Sequence, residues 1–328
     1  MISVQLVPLL EWIDQRDVLI KRVYNTTLLR PRPEPPAEDT VLLLAGLEGE
    51  TVACCALCRN PGIRVSGEET LLLGWFESVE SEDVAAALFG RAAEVAHAMG
   101  CRVLLGPING DTWHSYRTVL PSSHPPFILD IASRPWYSSL FESAGWEVAE
   151  SYHSTIMPPS PEANEACVME RLRHHGITVR PIDTAHYRAD LASIYTLSLV
   201  AFTESPFYTP IGFDRFMEIY APLEPLVDPD LVLVAEAAER ETVGFVFALQ
   251  DRFALPGECI VMKSAASSPF VRGAGVGSGL MEIIHSRARG RGCRTVIHAL
   301  MHDNNRSARI LSDGAETIRA YRLYQWTP

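Results

Sequence analysis

Two kinds of pattern take turns along the chain: short apolar runs, and longer stretches in which apolar positions recur every third or fourth residue. The first kind reads as strands and the second as amphipathic helices. In the C-terminal half this predicts a short strand at 177–181, helices at 187–202 and 213–220, and strands at 231–236, 242–249 and 259–266. A helix at 277–290, a strand at 295–301, a helix at 305–312 and a last strand at 318–326 follow. A quieter version of the same order runs through the N-terminal half: 4–6, a helical stretch from Asp14, then 41–45, 51–58, 69–76, a helix at 83–99, a strand at 102–105 and the segment 137–144. Prolines and small polar residues gather at 158–165 between the two patterned stretches, as in a linker. With 328 residues the chain exceeds what one core usually serves, so the expected units are 1–160 and 177–328, joined by 161–176.

The densest chemical signal lies between a strand and a helix, where Phe270 to Leu280 holds glycines at 273, 275, 277 and 279. Such a turn lets backbone approach a ligand, and the unpaired amides at the next helix start attract anions. A dinucleotide fingerprint is excluded, because the sixth position counted from Gly273 is Ser278 and from Gly275 is Leu280. A triphosphate loop is disfavoured, since no Gly-Lys-Ser/Thr follows. What fits is Arg272-Gly273-Ala274-Gly275-Val276-Gly277, which resembles the R/Q-x-x-G-x-G/A pyrophosphate loop of the GNAT superfamily of acetyl-CoA-dependent N-acetyltransferases. Downstream, Asn305-Arg306-Ser307-Ala308 is similar to that family's N-x-x-A.

The resemblance implies an α/β fold of two tandem GNAT-like domains, each a mixed, mostly antiparallel sheet flanked by helices. It implies acyl-CoA as co-substrate, with Ala266, Ser267, Val271, Arg272, Gly273, Gly275, Val276, Gly277, Ser278 and Asn305 at the cofactor. It also implies direct transfer of an acetyl or short acyl group to the amine of a small molecule in a ternary complex. In the N-terminal half, Glu77 to Asp83 puts four carboxylates where a pyrophosphate would sit, so that unit reads as degenerate. Gly106-Pro107-Ile108-Asn109 resembles a pattern of tandem GNAT proteins.

The acceptor amine must lose a proton, so a base is required. Glu258 falls one residue from the family position on the strand before the loop and would serve if that strand bulges. His298 and His302 stand four apart on the next strand and so share a face, with His302 at the end where the thioester belongs. Glu204 is a candidate for the substrate ammonium, and Trp113, His114, Tyr116 and Arg117 form a candidate substrate-facing loop, with Tyr116 as a contact. The tyrosine that the family uses as general acid would fall on Ser312. That departure leaves two alternatives open: a decarboxylase of malonyl-type thioesters, and a non-catalytic acyl-CoA sensor.

A net charge of −12 argues against nucleic-acid or anionic-membrane partners and suits a cationic amine. Ile2 to Leu10 is followed at once by Glu11 and Asp14, unlike a leader, and no apolar run approaches a membrane span, so a cytoplasmic location is expected. Seven cysteines without a framework suit reduced thiols, and Cys54, Cys55 and Cys58 read as small buried strand residues rather than metal ligands. No metal is expected.

Overall fold

The computed structural model describes residues 1–25, 36, 40–304 and 314–327. The N-terminal half contributes β1 (Ser3–Leu6), α1 (Leu9–Tyr24), β2 (Val41–Leu47), β3 (Glu50–Val65), β4 (Glu68–Ser78), α2 (Glu82–Ala98), β5 (Val103–Gly106), β6 (Thr118–Val119), α3 (Tyr137–Ser143) and β7 (Glu147–Met157). After α4 (Glu165–His174), the C-terminal half adds β8 (Thr178–Pro181), α5 (Tyr187–Ala201), α6 (Phe213–Tyr220), β9 (Val232–Glu236), β10 (Thr242–Gln250), β11 (Cys259–Ser267), α7 (Val276–Gly290), β12 (Thr295–His302) and β13 (Glu316–Trp326). The expected helix at 305–312 lies outside the described residues.

All described strands join one sheet in the order β1-β2-β3-β4-β5-β13-β7-β12-β11-β10-β9-β8, with β6 beside β13. Two of its strands are exchanged between the halves. β13, the last strand of the chain, pairs antiparallel with β5 of the N-terminal half, while β7 pairs antiparallel with β12 of the C-terminal half. The two meet along Glu316↔Ile156 to Gln325↔Glu147 and so close the seam. The periodicity of 147–157 gives no expectation of a strand there. Nothing local marks it as belonging to the other half.

Each half keeps its own core. The N-terminal one gathers Trp12, Leu43, Leu88 and Phe141, and it takes in Tyr324 from β13, whose ring stacks on Phe141 at 5.1 Å. The C-terminal one gathers Leu233, Val246, Ile260, Leu280 and Ile284. Residues 161–176, expected as a linker, hold α4: Asn164 caps it by accepting from the Cys167 amide at 3.1 Å, and Val168 and Leu172 are buried in the C-terminal core.

Because Tyr324 is fully buried across the seam, Tyr324→Ala should destabilise by about 3–5 kcal/mol through the cavity left behind. Loss should be shared by both halves, so tryptophan fluorescence and far-UV circular dichroism during urea unfolding should keep one coincident transition, shifted to lower urea.

Candidate active site

β11 and β12 run parallel from Cys259↔Thr295 to Met262↔His298 and then part. A bulge on each strand opens this fork. Phe247 and Ala248 of β10 face Ser264 and Met262, so one step on β10 is matched by two on β11 and Lys263 is the extra residue. On β12 the pairs His298↔Thr155 and Met301↔His153 give three steps against two on β7, and Leu300 in that bulge has φ +58°. Bulges bend their strands and re-aim side chains. Beside the fork opens a cavity of about 1090 Å3, walled by residues of both halves.

The glycine turn joins β11 to α7. Gly273 and Gly275 take φ +99° and +70°, a left-handed region that a Cβ makes costly. α7 starts at Val276 with no side-chain cap, so the amides of Val276, Gly277 and Ser278 have no partner within the helix. This bare, positively polarised helix end fits a pyrophosphate. Ala266 and Ser267 lead into it on β11, and Val271 and Arg272 form its outer turn. Arg272 ion-pairs with Glu204 at 2.9 Å, both largely exposed. Glu204, expected at the substrate ammonium, thus stands beside the glycine turn and does not line the cavity. Asn305 and Ser312 lie outside the described residues.

The N-terminal half has the same fork in closed form. β4 and β5 run parallel as far as Leu72↔Leu105, after which the Ile108 amide donates to the Leu73 carbonyl at 2.8 Å and the Trp75 amide to Asn109 Oδ1 at 2.7 Å. Backbone fills the gap so tightly that a Cβ on Gly74 would stand 2.2 Å from the Ile108 oxygen. Its helix start is also satisfied: Ser81 caps α2, and Glu82 and Asp83 fill the first turn. Glu77 is buried against Arg16 at 3.2 Å and Tyr137 at 2.7 Å.

Polar groups of the cavity around the fork are mostly engaged with one another. Lys263 Nζ donates to the Leu129 carbonyl at 2.7 Å. Asp130 accepts from Tyr321 at 3.0 Å and faces Arg319 Nε at 2.8 Å, a close ion pair whose angle falls short of a hydrogen bond. Burial pushes the Asp130 carboxyl up, and Arg319 opposes that shift. Tyr321 continues the chain to Ser154 at 2.9 Å, and Ser154 accepts from the Leu300 amide at 2.8 Å, so these groups brace the β12 bulge.

The two histidines differ in state. The Ser160 amide donates to His285 Nδ1 at 3.0 Å, so His285 carries its proton on Nε2 and donates to His298 Nε2 at 2.8 Å. Burial pushes His285 down to about 4 and His298 down to about 3. His298 is therefore corrected as a base: its lone pair is taken, and its own proton sits on Nδ1. His302 lines the cavity with its Nε2 2.7 Å from Glu150, and its Nδ1 accepts from the Asn304 amide at 3.2 Å. Glu258 is also corrected. It precedes β11 at the end away from the fork and pairs with Arg294 at 3.2 Å; the bulge it required exists but serves Lys263. Trp113, His114, Tyr116 and Arg117 all line the cavity. Lys263 was missed in the sequence, where its one signal is a lysine set in the apolar run of Cys259 to Ala266.

Burial is the main cause that lowers Lys263 from 10.5 to about 7, with the Arg117 charge adding to it. Between those values the unfolded chain holds a proton that the folded chain lacks, so this group's contribution to stability rises with pH through that window. Lys263→Met should accordingly raise the melting temperature most below pH 7, and the gain should shrink toward pH 10, as followed by calorimetry across pH.

Residues 191–312 match the family described as Acetyltransferase (GNAT). No curated protein matches the chain in sequence. Among solved structures it is similar to a tandem GNAT protein from the clavulanic acid biosynthesis pathway, with TM-score 0.54 and 12% identity over 100% of this chain and 98% of that one. A GCN5-related N-acetyltransferase from Sphaerobacter thermophilus gives 0.51 and 14% over 99% and 95%. A GCN5-related glucosamine N-acetyltransferase region of a fungal multi-domain GH3 beta-N-acetylglucosaminidase gives 0.56 and 14%; the match covers 99% of this chain and only 38% of the fungal one. At such identities the likeness is one of fold, and it extends over both halves. The match to the Acetyltransferase (GNAT) family thus lies in the C-terminal half, at the open fork, and the fold of the whole chain is similar to that of tandem GNAT proteins.

Proposed function

We propose that the protein transfers an acetyl or other short acyl group from acyl-CoA to an amine of a small molecule, by direct attack in a ternary complex. The observation that carries this reading is the asymmetry of the two forks: the one between β11 and β12 is open and leads to an uncapped helix, and the one between β4 and β5 is sewn shut. In this reading the pyrophosphate rests on the amides at Gly273 to Ser278, with Arg272 alongside, and the pantetheine arm lies along Ala266 and Ser267. The thioester is then at the fork. A small acceptor is favoured because the cavity is walled by both halves. Residues 1–160 and 177–328 are taken as the two units, each closed by a strand of the other.

The amine lone pair attacks the thioester carbonyl carbon, the C–S bond breaks, and the sulfur leaves as thiolate. His302 is the proposed proton acceptor. Its Nδ1 takes the proton that the attacking nitrogen sheds by exchanging the long 3.2 Å bond from the Asn304 amide for the substrate, and Glu150 on Nε2 stabilises the imidazolium that results. His298, with its proton on Nδ1, supplies a neutral donor at the last paired position of the fork. Tyr116 remains a proposed acceptor contact. A cytoplasmic location rests on seven cysteines in the thiol form; among the described residues no helix is long and apolar enough to cross a membrane.

Purified protein incubated with acetyl-, propionyl- and malonyl-CoA, with and without an amine panel, should release free thiol only when an amine is present, and mass spectrometry should show an acylated amine. Thiol release from malonyl-CoA without amine would replace transfer by decarboxylation. Gly275→Asp should abolish acyl-CoA binding in calorimetry, while Glu80→Gln with Glu82→Gln should leave it intact. For His302→Gln, kcat should drop by about 10²–10⁴ with KM for acyl-CoA little changed.

A further inference from the structure

The cavity contains a buried cation that its described surroundings leave unmatched. Arg117 is 6% exposed, and its guanidinium carbon lies 3.9 Å from the ring centroids of both Tyr116 and Tyr152. Stacking of this kind occupies the faces of the guanidinium and leaves the donors in its plane. One of them makes a long 3.4 Å bond to the Leu300 carbonyl, and Nε is buried without a partner. Among the described residues no carboxylate pairs with it. Asp130, the acid near Lys263, is taken by Arg319 and Tyr321.

The backbone at this position is also held in an unfavourable region. Arg117 has φ +73°, fixed by its amide donating to the Pro107 carbonyl at 2.7 Å. Strain of this sort persists where the surroundings over-determine a residue, and such positions cluster at ligand sites. A second cation stands close enough to interact: the charge of Arg117 disfavours the protonated form of Lys263, the bulge residue of β11. Near Lys263 the acid is Asp130, paired with Arg319, while Asp17 and Glu77, the other acids that line the cavity, belong to α1 and β4, where Glu77 pairs with Arg16. An uncompensated cation in low dielectric is unfavourable until an anion pairs with it, and a planar guanidinium matches a carboxylate through two parallel bonds. Around these groups the wall is aromatic, with Trp113, Phe202, Phe216 and Tyr220.

We propose that Arg117 and Lys263 form a carboxylate-binding site at the fork, so that one of the two substrates carries a carboxylate on an apolar body. The existence of the site stands on the unmatched guanidinium; its assignment to a substrate rests on the acyl-transfer reading above. The source is either an acceptor with both amine and carboxylate or an acyl group with a free carboxylate. Either places the anion beside the carbon that reacts.

Titration calorimetry of the full chain with hydrocinnamate and with hydrocinnamamide, which share a shape and differ in charge, tests the site without any acyl-CoA. The acid should bind at least about tenfold more tightly than the amide, as a charge-assisted bidentate pair would give. Arg117→Met should remove that preference at unchanged circular dichroism, and Lys263→Met, which leaves the stacked guanidinium in place, should weaken the acid and spare the amide. Equal binding of acid and amide by the wild type would overturn the proposal, as would a preference that survives in Arg117→Met. Turnover then identifies the source. Acetyl transfer to phenylalanine faster than to phenethylamine puts the carboxylate on the acceptor; faster use of succinyl-CoA than acetyl-CoA with phenethylamine puts it on the acyl group. Neither preference would overturn the assignment to a substrate. If no acyl-CoA is turned over at all, acyl transfer fails as the function, and the calorimetric comparison still decides the site.

Discussion

Strand β13 cannot leave the sheet without unmaking both halves, because its two edges belong to different halves. One edge completes the N-terminal sheet at β5, and the other holds β7, which in turn is the neighbour of β12. Tyr324 carries the constraint inward, since it packs in the core of the half to which it is not joined in sequence. The exchange also determines where the cavity lies. β7 supplies Ser154 and Glu150 to the C-terminal fork, so an N-terminal strand braces the β12 bulge and holds His302.

The two forks show how one architecture supports different chemistry. In both, a parallel pair splits after three or four residues. Beyond the split they differ by a few groups. In the N-terminal half Asn109 reaches across and bonds the Trp75 amide, the chain after β5 presses on Gly74, and Ser81, Glu82 and Asp83 satisfy the helix start. At the other fork the bulge at Lys263 and the bulge at Leu300 turn the strands apart, and α7 begins without a cap. Unsatisfied backbone amides are unfavourable in a core and useful beside a ligand. Similar backbone geometry therefore coexists with an open fork in one half and a filled one in the other.

Polar groups around the open cavity are kept in defined states by their protein partners. The ordered donation from Ser160 through His285 to His298 leaves one tautomer, and burial keeps both rings neutral. Asp130 is buried and yet bonded to Tyr321 and paired with Arg319, which opposes the rise that burial imposes. Such networks preorganise a site because each member fixes the next. Arg117 donates one long bond, to the Leu300 carbonyl, and its Nε is buried without a partner.

The sequence by itself determined most of the strands and helices, though not β7 or α4, and the glycine turn, because periodicity and glycine content act within a few residues and need no partner. Helix α2 and strands β9 to β12 were legible for that reason, as were Gly273 and Gly275. Tertiary structure alone decided which strands are exchanged, since the edge to which β7 or β13 binds depends on residues more than a hundred positions away. It also decided the polar chemistry. Register placed Glu258 at the far end of β11 and turned Lys263 toward the cavity by one extra residue, and contact with Arg272 took Glu204 away from the acceptor side. Whether His298 is a base or a donor depends on a partner thirteen residues away, His285, and on a backbone amide of the other half's exit, Ser160. A side chain's identity is local; its protonation, direction and neighbours are set by packing.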